Sequence, residues 1–242
     1  MRYCIFSDVH GNLEAFESMI DAISGERVDG NICLGDIVGY GAYPSACIKA
    51  LRFLNPKALI AGNHEWGVLG LVAGDYFNKY AAEAVEWTKG ALDAGELAYL
   101  KTFELMFEAG PLTLVHGSLE QPATFRYVHD REDAAMTMRI SRTGLCFLGH
   151  SHRPAIWQMD GSGMVCARGL KVFIEDGKKY IINAGSVGQP RDGDPRGSYV
   201  IYDEGKALVE IKRFSYDIRR AQEKILKASL PAWLASRLAE GR

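Results

Sequence analysis

Short apolar runs of strand length recur through the first 150 residues of the chain. The clearest are YCIF at 3–6, NICL at 31–34, ALIA at 58–61, LTLV at 112–115 and LCFL at 145–148. Short runs bounded by polar residues are typical of buried strands. Segments of helical periodicity lie between the first three, at 12–24 and at 44–54, where Pro44 begins the second. This alternation predicts parallel strand pairing and an α/β layered fold.

The rest of the chain follows two other patterns. Residues 65–109 are mostly helical in pattern, and we expect their amphipathic segments to cover a sheet face or the strand ends. From about residue 154, apolar and polar positions alternate around turn signals such as Asp176-Gly177, which predicts antiparallel strands. A C-terminal helix is predicted over 217–242, interrupted near Pro231. We find no linker or repeat, so we predict a single domain over 1–242.

Composition and charge narrow the class of protein. Hydrophobic residues make up 48% and charged residues 24% of the chain, as in soluble globular proteins. The formal net charge of -2 argues against a protein that binds long nucleic acids, which usually carries a basic surplus. The five cysteines form no CxxC pair and predict buried free thiols in a reducing compartment. Because no signal peptide or long apolar run is found, we expect a cytoplasmic protein that does not bind membranes.

Each of the five apolar runs is followed by side chains of the kind that bind metal ions. The segments SDVHGN, GDIVGYG, GNHEWG, HGS and GHSH supply Asp8, His10, Asp36, Asn63, His64, His116, His150 and His152. Ligands of open α/β sheets bind outside the carboxyl ends of the strands, so we expect these residues to converge. Asp8 and His10 should point to the same side of an extended segment. Turn and capping chemistry is the alternative for each residue alone, and their joint occurrence favours a common site.

Oxygen and nitrogen ligands without thiolate suit divalent manganese, iron, nickel or zinc, with manganese our first choice. The set is too large for one ion. We predict one ion at Asp8, His10, Asp36 and His152, and a second at Asp36, Asn63, His116 and His150. Two ions about 3.5–4 Å apart, bridged by Asp36, can share a hydroxide and stabilise both oxygens of a phosphoryl displacement. His64, beside Asn63, is the candidate general acid.

Five motifs follow one another in the chain: Asp8-x-His10, Gly35-Asp36, Gly62-Asn63-His64-Glu65, His116-Gly117 and Gly149-His150-Ser151-His152. This ordered set resembles the calcineurin-like metallophosphoesterase superfamily. The segment 183–199 resembles the small bacterial predicted phosphodiesterases and phosphatases of that superfamily, and its first four residues, Asn183-Ala184-Gly185-Ser186, are expected to form a turn that closes the rim of the site. The resemblance implies a two-sheet β-sandwich flanked by helices, and it matches the ligand division and the role of His64 given above. Glu65 is left with two roles, orienting His64 or facing solvent.

The chain departs from the superfamily pattern after its second aspartate. The protein Ser/Thr phosphatases and the symmetrical dinucleoside tetraphosphate hydrolases carry a phosphate-binding arginine there, whereas this chain has Gly39 and Tyr40. A protein phosphatase is therefore not favoured. Arg126 and Arg191 are candidate replacements, although each is also explained as a surface arginine. Four aromatic residues could stack on a nucleobase, with a core role the simpler explanation: Trp66, Tyr76, Phe77 and Tyr80.

Two functions follow from these observations. The first is a dinuclear metal-dependent phosphohydrolase acting on a small phosphate ester or nucleotide, through metal-bridged hydroxide and a histidine general acid. Phosphodiesters, phosphomonoesters and phosphoanhydrides such as dinucleoside polyphosphates all fit the sequence. The alternative is a non-catalytic metal-binding scaffold for protein interactions, as in some members of the superfamily. The intact ligand set and the presence of His64 favour the enzyme.

Overall fold

Two six-stranded β-sheets form the centre of the computed structural model, which describes residues 1–72, 75–167 and 169–242. In the first sheet, the order β3-β2-β1-β11-β12-β9 corresponds to Ala58–Leu59, Gly30–Cys33, Arg2–Phe6, Gly197–Asp203, Leu208–Phe214 and Lys171–Phe173. In the second, β4-β5-β6-β10-β7-β8 corresponds to Met106–Ala109, Leu112–Val115, Leu145–Leu148, Lys179–Asn183, Ala155–Asp160 and Gly163–Cys166.

The described residues also form eight α-helices. These are α1 Leu13–Ser24, α2 Pro44–Leu54, α3 Asn63–Val68, α4 Lys79–Ala91, α5 Ala94–Leu100, α6 Arg131–Ile140, α7 Ile218–Lys227 and α8 Ala232–Ser236. Polar side chains begin five of them by accepting hydrogen bonds from first-turn amides: Asn12, Asn78, Asp93, Asp130 and Asp217. Helix boundaries are therefore set largely by local sequence.

Consecutive side chains of the central strands enter different layers of the protein. In β6, Leu145 and Phe147 pack between the two sheets, while Cys146 and Leu148 pack on the opposite face, with residues of α6. Strand β1 divides its side chains in the same way, between the inter-sheet core and the helices that cover the first sheet. The layers run helix, sheet, sheet, helix. The predicted two-sheet sandwich flanked by helices is confirmed.

Most of the predicted strand pairing is also present. Strands β1, β2 and β3 are parallel, as are β5 and β6. Strands β11, β12 and β9 are antiparallel, whereas β10 lies parallel to β6 and antiparallel to β7. The antiparallel strands expected around Asp176-Gly177 do not pair with each other, because β9 joins the edge of the first sheet and β10 joins the middle of the second. This turn therefore connects strands of two different sheets and not two paired strands.

The helical segment predicted over 65–109 ends early. Helix α5 stops at Leu100, and Met106–Ala109 form β4, which pairs with the buried strand β5 at the edge of the second sheet. This tertiary pairing outweighs the local helical pattern. At the C-terminus, α7 and α8 are separated by residues 228–231, at the interruption predicted near Pro231.

Cysteine burial partly follows the sequence-based prediction. Cys4, Cys33, Cys47 and Cys146 are buried free thiols, but Cys166 in β8 is exposed. Strand β8 is at the edge of its sheet, and its last two residues, Val165 and Cys166, are both exposed. Within the described residues, no helix is both long and apolar enough to span a membrane.

Candidate metal centre

The predicted ligand residues converge at one end of the two sheets. They follow the carboxyl ends of β1, β2 and β3 in the first sheet and of β5 and β6 in the second. No side chain of the set is more than 5% exposed: Asp8, His10, Asp36, Asn63, His64, His116, His150 and His152. Residues from both sheets therefore form the site. The sequence predicted that these residues follow strand ends, but not how the strands divide between the two sheets.

Asp8, His10 and His152 form a first group of potential ligands. Asp8 Oδ1 lies 3.1 Å from His152 Nε2 and 3.5 Å from His10 Nε2, and the two Nε2 atoms are 3.1 Å apart. Each ring is oriented through Nδ1, which lies 3.1 Å from Val38 O in His10 and 2.6 Å from Gln189 O in His152. If Nδ1 donates to these carbonyls, both neutral rings turn an Nε2 lone pair inward. A cation bound between them would stabilise two lone pairs that face a carboxylate oxygen.

Asp36, His116 and His150 form a second group. His116 Nδ1 lies 2.7 Å from Leu34 O, and its Nε2 lies 3.1 Å from His150 Nδ1 and 3.2 Å from Asp36 Oδ2. The same Asp36 oxygen is 3.7 Å from His10 Nε2 in the first group. One carboxylate oxygen therefore lies between the two groups.

Several buried polar atoms of the cluster have no hydrogen-bond partner among the described residues. They include Asp8 Oδ1, Asn63 Oδ1, His64 Nδ1 and His150 Nε2. Unpaired buried polar atoms are rare because each loses its hydration without replacement. Carboxylate oxygen, amide oxygen and imidazole nitrogen are the donors that borderline divalent metals take. The residues therefore fit a divalent metal centre.

Burial and neighbouring charges shift the pKa values of Asp36 and His116 in opposite directions. Burial alone would raise the pKa of Asp36, but the neighbouring His116 and His64 hold that pKa well below its usual range. Burial would lower the pKa of His116, yet the Asp36 carboxylate raises it to about 9. Burial, and then the Arg191 cation, lower the pKa of His152 to about 3. Without a bound ion, Asp36 is thus an anion, His152 a neutral imidazole and His116 an imidazolium at neutral pH, so a metal that bound at His116 would release its proton.

Backbone conformation in the site differs from the sequence-based expectation. Asp8 and His10 do not lie on an extended segment, because both have left-handed φ angles. Left-handed backbone is shared by five residues of the set: Asp8 (58°), His10 (51°), Asp36 (54°), His150 (65°) and His152 (58°). Such conformations are uncommon outside glycine and cost about 1 kcal/mol or more each. Turns after the strands, held by tertiary contacts, aim these side chains inward.

Two glycines allow the backbone to approach the carboxylates closely. A Cβ atom on Gly62 would lie 2.0 Å from Asp36 Oδ1, and one on Gly149 would lie 2.6 Å from Asp8 Oδ2. Any larger residue at either position would displace a carboxylate of the cluster.

The chain is similar in sequence and in structure to several known proteins. The model of the calcineurin-like phosphoesterase superfamily domain matches residues 1–206. The chain belongs to this superfamily. A metallophosphoesterase from Sphaerobacter thermophilus superposes with a TM-score of 0.89 and 38% identity, over 100% of both chains. The uncharacterized protein MJ0912 of Methanocaldococcus jannaschii is 40% identical over 98% of this chain and 97% of its own length. Hypothetical protein PH1004 from Pyrococcus horikoshii OT3 shares the fold, with a TM-score of 0.80 at 18% identity over 100% and 98% of the two chains.

Glu65 supports the site of this superfamily member in a way that the sequence reading missed. Its carboxylate is fully buried and accepts hydrogen bonds from four backbone amides. The donors are Asp36 N at 2.7 Å, Ile37 N at 2.8 Å, Val38 N at 3.3 Å and Gly62 N at 2.8 Å. Neither role considered from the sequence is correct. The available signal was the position of this glutamate three residues after the helix N-cap, Gly62, as in a capping box.

Glu65→Ala is expected to destabilise the fold. Unpaired buried donors cost about 1–3 kcal/mol each, so four of them should lower the free energy of unfolding by roughly 3–5 kcal/mol after water enters the space. Urea unfolding in the presence of a chelator measures this change without a contribution from bound metal. Glu86→Ala, on the exposed side of α4, is the control. A loss of unfolding free energy no larger than that of the control would contradict a stabilising role for the four hydrogen bonds to Glu65.

His64 lies beside the two ligand groups. Its ring centroid is 4.7 Å from that of His10, 4.4 Å from that of Tyr40 and 5.2 Å from that of Phe77. Its backbone N–H donates to Asp36 Oδ1 at 2.9 Å. Burial lowers the pKa of His64 to about 3, against the opposing effect of Asp36. The imidazole is thus held next to the site and is neutral there, with Nδ1 free of hydrogen bonds to the described residues.

The segment after β10 lies against the site. Ser186 Oγ and Gly188 N both donate to Asp8 O, at 2.7 Å and 2.9 Å. Arg191 N donates to His152 O at 3.1 Å. Since these bonds hold the backbone of two potential ligands, the segment positions the cluster as well as bordering it.

The candidate substrate-binding residues lie around the rim. Arg126 is exposed, pairs with Glu120, and lines a cavity of about 490 Å³ together with Asn63, Tyr76, Phe77, Phe125 and Tyr127. Arg191 is half-buried, with its guanidinium carbon 5.6 Å from the ring centroid of Tyr40. Arg191 thus lies beside Tyr40, four residues after Asp36.

The four aromatic candidates separate into two pairs. Tyr76 and Phe77 line this cavity. Trp66 instead packs edge-on against Phe125, and Tyr80 stacks on Trp233 with ring centroids 5.1 Å apart. The rim includes a further aromatic residue that the sequence did not single out, Tyr127, whose ring stacks on His150 at 3.9 Å.

Proposed function

We propose that the protein is a dinuclear metal-dependent phosphohydrolase of small phosphodiesters, phosphomonoesters or phosphoanhydrides, nucleotides included. One observation carries this proposal. Asp36 Oδ2 lies within 4 Å of both His10 Nε2 and His116 Nε2, between the two ligand groups. A single bridging carboxylate with ligands on either side is the arrangement that two-ion phosphoryl chemistry requires.

The residues divide into two proposed ion sites. Asp8, His10, Asp36 and His152 would hold one ion, and Asp36, Asn63, His116 and His150 would hold the other. Bound divalent ions would supply a nucleophile by lowering the pKa of water and would stabilise charge on the phosphoryl oxygens. We propose manganese as the first choice, with iron, nickel and zinc as the metals to compare.

His64 is the proposed general acid. It is buried beside Asp36 without serving either ligand group in this division. Its low pKa means that the ring is neutral before substrate binds. A phosphate anion beside the ring favours the imidazolium form and raises that pKa, so the proton would be available when the leaving oxygen develops charge.

The cavity lined by Tyr76, Phe77, Phe125 and Tyr127 would hold the organic group of the ester. It reaches Asn63, one of the proposed ligands, so a bound group there would be continuous with a phosphate at the ions. Aromatic walls favour a flat apolar group such as a nucleobase or an aryl ring.

Metal dependence of turnover tests the proposal. Chelator-treated protein should hydrolyse neither bis(p-nitrophenyl) phosphate nor p-nitrophenyl phosphate, and added manganese should restore turnover of at least one. The preferred ester distinguishes a diesterase from a monoesterase. Two tightly bound ions without hydrolysis of these esters or of natural nucleotides would refute the enzyme and favour the metal-binding scaffold.

A further inference from the structure

A groove rich in arginine adjoins the candidate metal centre. One part, of about 280 Å³, is lined by Tyr127, His129, Ser151, Arg153 and Arg191. A second part, of about 400 Å³, is lined by Arg153, Arg191, Asp192, Gly193, Gly241 and Arg242. Arg153 and Arg191 line both parts of the groove. Ser151 stands between two proposed metal ligands in the chain, so the groove begins at the edge of the site.

The two shared arginines are held in place by neutral groups. Gln189 Oε1 accepts hydrogen bonds from Arg191 Nη2 at 2.8 Å and from Arg191 Nε at 3.3 Å. Gln189 is itself buried, and its carbonyl lies 2.6 Å from Nδ1 of the proposed ligand His152. Arg153 Nε donates to Arg191 O at 3.0 Å. Both guanidinium groups are thus positioned relative to the metal centre, while their charge stays uncompensated.

The carboxylates of this region already have other partners. Asp192 pairs with Arg213, Asp194 with Arg196 and Glu240 with Arg242. Among the described residues, no Asp or Glu carboxylate lies within 4.0 Å of a guanidinium nitrogen of Arg153 or Arg191, whereas Arg237 Nε donates to the terminal oxygen of Arg242. Burial, and then the charge of Arg191, lower the pKa of Arg237 to about 10, so these cations also repel each other. An anion in the groove would relieve this repulsion.

We infer that the groove binds a second phosphate group of the substrate, beyond the phosphate that is cleaved at the metal centre. This inference rests on the proposed function. Planar guanidinium groups bind phosphate oxygens through paired hydrogen bonds, and several together suit a group with more than one negative charge. With the aromatic cavity also open to the site, the preferred substrates are nucleotides that carry at least two phosphates.

Anion binding in the presence of a chelator tests the groove without turnover. Inorganic tripolyphosphate is titrated calorimetrically into the full-length protein, the double variant Arg153→Gln/Arg191→Gln and the control Arg219→Gln. Arg219 is an exposed residue of α7 that pairs with Glu223. We expect the double variant to bind at least about tenfold more weakly, because each charged hydrogen bond contributes about that factor or more. Equal affinity in all three proteins would overturn the inference.

Turnover of a matched substrate pair separates this inference from the proposed function. With manganese, the two substrates are the p-nitrophenyl ester of thymidine 5′-phosphate and the same ester carrying a 3′-phosphate. The kcat/KM ratio should favour the 3′-phosphorylated ester in the wild type and fall about tenfold or more in the double variant. Equal use of both esters by the wild type would overturn the second-phosphate site and leave the phosphohydrolase standing. Arginine-dependent tripolyphosphate binding without any hydrolysis would support the groove and refute the enzyme.

Discussion

Asp36→Ala is expected to lose metal binding and turnover together. Oδ2 of the Asp36 carboxylate lies between the two ligand groups, 3.2 Å from His116 Nε2 and 3.7 Å from His10 Nε2, and Asp36 is the ligand that the two proposed ion sites share. Its removal leaves both proposed ion sites one ligand short. The loss of turnover should exceed the roughly 100-fold to 10,000-fold typical of a missing general acid.

Metal content after dialysis, measured by mass spectrometry beside the hydrolysis of bis(p-nitrophenyl) phosphate, checks this prediction. Asp21→Ala is the control, because Asp21 is an exposed residue of α1. Circular dichroism shows whether the variant folds, since Asp36 Oδ1 also accepts the His64 amide. Two ions retained by folded Asp36→Ala would exclude a bridging role.

His64→Ala is expected to keep both ions and to lose most of its turnover. Each proposed ion site is complete without this side chain, whereas the proton for the leaving oxygen is gone. The expected loss is roughly 100-fold to 10,000-fold, as for other general acids. The same metal analysis, run beside Asp36→Ala, gives a direct comparison of the two roles.

Leaving-group dependence makes the His64 test specific. A p-nitrophenolate leaves readily without a proton, so His64→Ala should impair a phenyl ester of thymidine 5′-phosphate more than the p-nitrophenyl ester. Equal impairment of the two esters would contradict proton donation. Loss of metal equal to that in Asp36→Ala would instead make His64 a ligand, since its ring nitrogen also lies within 4.8 Å of ligand atoms of His10 and Asp36.

The sequence predicts where strands lie along the chain better than it predicts which strands pair. The runs at 112–115 and 145–148 coincide with β5 and β6, because a short buried strand needs only its own apolar residues and polar flanks. The β9 and β10 segments were recognised as strands, but their pairing was not. Val172 of β9 pairs with Val209 in one sheet, and Ile181 of β10 pairs with Cys146 in the other. No local signal distinguishes these partners from a hairpin.

The sequence by itself determined the α/β layering, the positions of the central strands along the chain and the set of polar residues that follow them. Each of these depends on hydrophobic periodicity or on a few neighbouring residues. Only the tertiary structure decided the left-handed turns at Asp8 and His10, the burial of Glu65 against four amides, and the groove that joins Arg153 to Arg191. These features depend on contacts between residues far apart in the chain. Such contacts hold strained backbone and neighbouring cations in place, and a local pattern does not record them.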